Sequence, residues 1–62
     1  MMIPVHERIE KCADGQAIRD MDSLEFLEFI GKLEKEFRVN IPDNIATQIR
    51  SFDDAAVVVG AE

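Results

Sequence analysis

The sequence has no tryptophan, no tyrosine and one cysteine, Cys12. A single cysteine excludes an intramolecular disulfide. One cysteine and one histidine, His6, cannot supply the four ligands of a structural zinc site. A 62-residue chain without either staple must fold on packed apolar side chains alone. Basic residues are also few, 7 against 13 acidic ones, for a net charge of −6. That balance argues against nucleic acid as a partner, because phosphate repulsion would have to be overcome. It argues equally against anionic membrane surfaces and favours partners with basic surfaces. No stretch approaches transmembrane length, and "MMIPVHERIEK" has no apolar run long enough for a secretory signal. With a free thiol and no export signal, the expected location is cytoplasmic. What is abundant is apolar residues, 47%, enough for one small core and too many for a disordered chain. We expect one domain over residues 1–62, monomeric, with no repeat and no low-complexity tract.

Turn signals divide the chain into four helical segments. The first covers roughly Pro4 to Ala13, with Pro4 at an early position and Val5, Ile9 and Cys12 at helical spacing. Asp14-Gly15 ends it. The second, about Ser23 to Phe37, is the longest. Asp22 or Ser23 can cap it, and Glu25 opposes the positive dipole end. Glu28–Lys32 and Glu34–Arg38 have the spacing of intrahelical ion pairs. Pro42 biases Ile41 toward extended backbone and opens a short third segment reaching about Ile49. The fourth starts at Ser51, whose spacing to Asp54 resembles a capping box, and frays at Gly60.

On a wheel of about 100° per residue, the second segment carries two apolar stripes. Phe26, Phe29, Ile30, Leu33 and Phe37 form a wide arc suited to a core. Leu24, Leu27 and Gly31 form a narrower stripe, bordered by Glu28 and starting one residue after Ser23. Such a stripe beside acids suits a docking surface; packing under the linker or against the third segment is the plainer expectation.

Several residues invite chemical readings. Serine at a helix start is ordinarily a cap. Ser23 has no G-x-S-x-G context and the only histidine is remote in sequence, so no local triad activates it. "DGQAIRDMDSLE" has the length of a calcium loop, with Asp14 and Glu25 at its ends. However, Gln16 and Ile18 stand where short oxygen ligands belong, and Arg19 where the sharp turn needs glycine, so tight calcium binding is not expected. His6, near Glu7 and Glu10, is expected to be solvated, and Cys12 to be a small core residue.

"DSLEFLEFIGKLEKEFRVNIPD" resembles the centre of an acyl carrier protein. Asp22-Ser23-Leu24 matches the motif that opens the second helix of that family. Leu33-Glu34-Lys35-Glu36-Phe37 matches the end of that helix, and Ile41-Pro42-Asp43 the turn after it. The likeness runs from about Met21 to Val59. It implies an all-α fold, a small four-helix bundle of the acyl-carrier type with a short third helix. It implies a 4′-phosphopantetheine arm on Ser23, flanked by Asp22 and Leu24, installed from coenzyme A by a phosphopantetheinyl transferase with magnesium. The arm's thiol then carries an acyl group as a thioester. Chemistry would belong to acyl-transfer, synthase or ligase partners with basic docking patches, in fatty-acid, polyketide or related biosynthesis, and the chain itself would not be an enzyme. By position, Glu25, Leu27, Glu28, Gly31, Glu34 and Glu36 would meet those partners.

The chain departs from the family pattern in three places. Only 22 residues precede Ser23, so the first helix or the loop after it is expected to be truncated. Arg19-Asp20-Met21 replaces the commoner Leu-Gly pair. Gly31 stands where the family has a larger apolar side chain, and Lys35 interrupts the acidic run. The alternative reading is an unmodified helical module of the same shape that binds a basic surface. A peptidyl carrier fits less well, given the acidity and the absence of Gly-Gly near the serine.

Overall fold

The structure, a computed structural model, describes residues 4–60. Its elements are α1 (Val5–Cys12), a single 3-10 turn (Ile18–Asp20), α2 (Ser23–Phe37), α3 (Asp43–Ala46) and α4 (Phe52–Val58). The fold is all-α, with no strand among the described residues. No described helix is long and apolar enough to cross a membrane.

One hydrophobic cluster holds the elements together. Helix α1 contributes Ile9, α2 contributes Phe29, Ile30 and Leu33, and α4 contributes Ala55 and Ala56. Ile9, Leu33 and Ala55 are fully buried. α1 lies against both α2 and α4. Phe29 tilts toward Phe26 on its own helix and toward Phe52 on α4, with ring centroids 6.4 and 6.5 Å apart. Small alanines on α4 let it approach closely, while the large side chains come from α2. The radius of gyration, 10.6 Å, equals that of a well-packed chain of this length, about 10.6 Å.

The connections are short and specific. After α1 the chain turns at Asp14 and Gly15, which take φ values of 54° and 77° in succession. Gly15 suits the second position because left-handed backbone carries no Cβ penalty there. The linker then buries Ile18 through the 3-10 turn and leaves Arg19 and Asp20 exposed. At the far end of α2, Arg38 adopts φ 55° and closes the helix, its N–H bonded to the Glu34 carbonyl.

Several expectations are corrected here. α3 stops at Ala46 and continues as a turn through Thr47 and Gln48, so it is shorter than a segment reaching Ile49. Lys32 bonds Asp14 across the loop at 3.0 Å instead of Glu28. Glu34 does not pair with Arg38, which has left helical register. Its carboxylate accepts the Ile41 N–H at 2.8 Å. Asp54 caps one residue earlier than a capping box would, accepting the Arg50 N–H, while Ser51 accepts the Asp54 N–H. His6 is not simply solvated, because its Nε2 meets Asp53 of α4 at 2.7 Å. Cys12 is half-buried at the edge of the cluster and not fully inside it.

Candidate functional site

The first turn of α2 is fastened by two side chains, and neither is Ser23. Asp22 is the N-cap, its carboxylate accepting the Glu25 N–H at 2.8 Å. Glu25 reaches back to accept the Asp22 N–H at 3.0 Å, completing a capping box. Gln16 ties the linker to this box, its side-chain amide donating to Glu25 Oε1 at 3.3 Å and to the Asp20 carbonyl at 3.1 Å. Of the two cap candidates, Asp22 and Ser23, the fold uses Asp22, and the reading of Ser23 as an ordinary cap is corrected. An aspartate one residue earlier holds the extended φ/ψ of a cap, and Ser23 is the first residue inside the helix.

Ser23 is exposed, and its hydroxyl makes no hydrogen bond among the described residues. Its own N–H and that of Leu24 belong to the first turn and lack intrahelical carbonyl partners. Together with the positive end of the α2 dipole, they form a local environment favourable to an anion.

Beside Ser23 lies a groove of about 350 Å³ between α2 and α3, lined by Ser23, Phe26, Leu27, Asp43, Ala46 and Thr47. Its only ionisable lining residue is Asp43. The walls are set by the turn that ends α2: Glu34 grips the Ile41 N–H, Ile41 is buried, and Pro42 then starts α3. Thr47 Oγ1 donates to the Asn44 carbonyl at 3.1 Å, a local bond that fastens the side chain to the last turn of α3. Asp43 and Thr47 were not anticipated as site residues. Asp43 carries a signal, standing in the Ile-Pro-Asp turn; Thr47 carries none.

The narrow stripe on α2 faces solvent. Leu24 and Leu27 are 66% and 61% exposed. They pack neither under the linker nor fully against α3, although Leu27 edges the groove. Gly31 continues the stripe with open space around it: a Cβ there would meet nothing within 4 Å. The fold therefore does not require glycine at this position. Val57 of α4 is also exposed, at 78%, but it stands alone.

The structure separates the carboxylates named from the sequence into two groups. Asp22, Glu25 and Glu28 are exposed on the N-terminal half of α2, joined by Asp20 from the linker. Of these, Asp22 and Glu25 are also engaged in the capping box. Glu34 and Glu36 are held by the fold, Glu34 by Ile41 and Glu36 by Arg8 at 2.9 Å. The ends of the calcium-loop frame are likewise occupied, Asp14 by Lys32 and Glu25 by the cap. Among the described residues, no three His, Cys, Asp or Glu side chains are grouped to hold a metal ion.

Compared with known proteins, the chain matches no family model and no solved structure.

Proposed function

We propose that this protein is an acyl carrier, with a 4′-phosphopantetheine arm on the Ser23 hydroxyl and acyl groups held as thioesters at the arm's end. The observation that carries this reading is the division of labour at the start of α2. Asp22 and Glu25 fasten the helix, so the Ser23 hydroxyl is exposed and free of structural duty.

The residues around Ser23 suit the group. The arm joins through a phosphate, and the first-turn N–H groups with the helix dipole favour an anion beside that oxygen. The groove toward Asp43, Ala46 and Thr47 offers a mostly apolar resting place next to the attachment point. When bound, the arm supplies a thiol that carries the acyl group. The chain's own residues hold the attachment oxygen outward and present a surface for partner enzymes. That surface consists of Leu24, Leu27 and the gap at Gly31, flanked by Asp20, Asp22 and Glu28. It suits a basic partner with an apolar centre. A phosphopantetheinyl transferase is the first such partner; synthases, ligases or transferases acting on acyl groups follow. The four-helix arrangement is in this reading a shortened version of the acyl-carrier bundle, with the first loop reduced to the Asp14–Ala17 reversal and the 3-10 turn.

The test is direct. Incubate the protein with coenzyme A, magnesium and a broad-specificity phosphopantetheinyl transferase, and measure the intact mass. The expected result is a gain of one phosphopantetheine that is lost in Ser23→Ala. A folded protein that gains nothing would sink the reading and leave the unmodified interaction module in its place.

A further inference from the structure

A second groove, of about 430 Å³, opens between α1 and α2. Arg8, Lys11 and Cys12 line it from α1, and Lys32, Lys35 and Glu36 from α2. The two sets share one spacing, i, i+3, i+4, so each is a single helix face. The helices run antiparallel across the groove, because Arg8 meets Glu36 at 2.9 Å while Asp14, past the end of α1, meets Lys32 at 3.0 Å. Four of the chain's 7 basic residues converge here, in a protein of net charge −6.

The two ion pairs neutralise Arg8 and Lys32. Lys11 and Lys35 have no carboxylate within ion-pair distance among the described residues. Arg8 is further fixed by the Glu36 carbonyl and by the ring of Phe37, 4.4 Å from its guanidinium carbon. Lys11 stands on a ridge, because Glu7, Glu10 and Asp14 line an adjoining depression that Lys11 also borders, while Lys35 borders only the α1–α2 groove. The lining surface is mostly apolar, as the methylene stems of Arg8 and the three lysines beside Cys12 would make it. Burial, with Glu36 nearby, pushes the Cys12 thiol above its usual range despite Lys32 and Arg8, so it remains a neutral, weakly polar surface.

We propose that this groove binds an amphiphilic anion, its carboxylate or phosphate head between Lys11 and Lys35 and its alkyl body along the lining over Cys12. The volume falls within the usual range for small-ligand sites, about 300–1,000 Å³. Charges more than about 8 Å away are screened at physiological salt, so the side chains lining the groove, four cations and Glu36, weigh most in the encounter. This site is separate from Ser23 and does not depend on the carrier reading.

Isotope-labelled protein titrated at physiological salt with octanoate, octyl phosphate and octanol, followed by amide NMR, tests the site. Both anions should shift Lys11, Cys12 and Lys35 saturably, with octanol weaker by about tenfold or more. Whichever anion binds tighter identifies the head group. Lys11 and Lys35 are both exposed, so Lys11→Ala with Lys35→Ala should keep the fold and weaken octanoate about tenfold. Arg50→Ala, which removes a cation elsewhere, should change nothing. Equal binding of octanol, undiminished binding in the double variant, or shifts centred on Phe29 and Leu33 would each overturn the proposal.

Discussion

The two faces of α2 carry similar side chains in opposite surroundings. Phe29, Ile30 and Leu33 are almost wholly buried, whereas Leu24 and Leu27 are more than half exposed on the same fifteen-residue helix. Three large core groups thus share a helix with two of the three large apolar side chains that are exposed among the described residues. Apolar character alone does not say which face does what. The partner elements decide. α1 and α4 cover one arc, and α3 is too short, at four residues, to cover the other. The first face answers to stability, and the second is left open to solvent.

The largest effect should come from breaking the buried face. Phe29→Ala removes a ring packed against both Phe26 and Phe52 and should cost about 3–5 kcal/mol. That is comparable with the whole stability of so small a core, so thermal melts followed by circular dichroism should show little or no folded protein. The exposed face should behave differently. Leu24→Ala with Leu27→Ala should shift stability by about 0.5 kcal/mol or less. On the carrier reading, the same variant should slow modification by the transferase about tenfold. Loss of folding here would erase the distinction between the faces.

The start of α2 can be divided in the same way. Asp22→Ala should cost about 1 kcal/mol by removing a cap. Ser23→Ala should be close to neutral in urea denaturation, since alanine favours helix and no hydrogen bond is lost. The reverse order would restore the cap role to the serine. Gly31→Ala should raise stability by about 0.5–1 kcal/mol, because the added methyl meets only open space. A clash or a loss would mean that the stripe is covered after all.

The smallest effect is alkaline. The Cys12 thiol is raised above its ordinary value of 9.0 by burial, and Lys32 above 10.5 by its bond to Asp14. In both cases the folded protein holds the proton more tightly than the unfolded chain does. Their contribution is therefore complete below the unfolded values and is lost as pH rises through the folded ones. Denaturation midpoints should be level near neutrality and decline modestly above about pH 9.

Much of α2 was readable in advance. A cap, an acidic first turn and strong periodicity all agree over Ser23–Phe37, and the structure starts and ends the helix there. The same wheel set Leu24, Leu27 and Gly31 apart from the core arc, but not their exposure, since packing against the linker or third segment was the plainer expectation. The polar contacts were less readable because sequence spacing ranks local partners first. Lys32 found Asp14 eighteen residues away, and His6 found Asp53 forty-seven away, through packing that no local pattern encodes. Glu34 was misread because its nearest cation, Arg38, turns left-handed and departs. Gln16 looked like a poor metal ligand and proved to be a brace for the capping box, a role set by the 3-10 turn that brings the linker back. The neighbours of Ser23 in sequence were identifiable; Thr47, which reaches the groove through the tertiary fold, was not.

The loop at Asp14-Gly15 has a consequence for evolvability. Two left-handed residues reverse the chain in the space of one turn, and Lys32 clasps Asp14 from outside. The reversal needs nothing from Ser23 or the groove beside it. It is nevertheless tied to the start of α2, because the Gln16 N–H bonds the Ala13 carbonyl while its side chain braces the capping box. A change of length at this point would be felt at the first turn of α2, so the reversal and the cap are constrained to vary together.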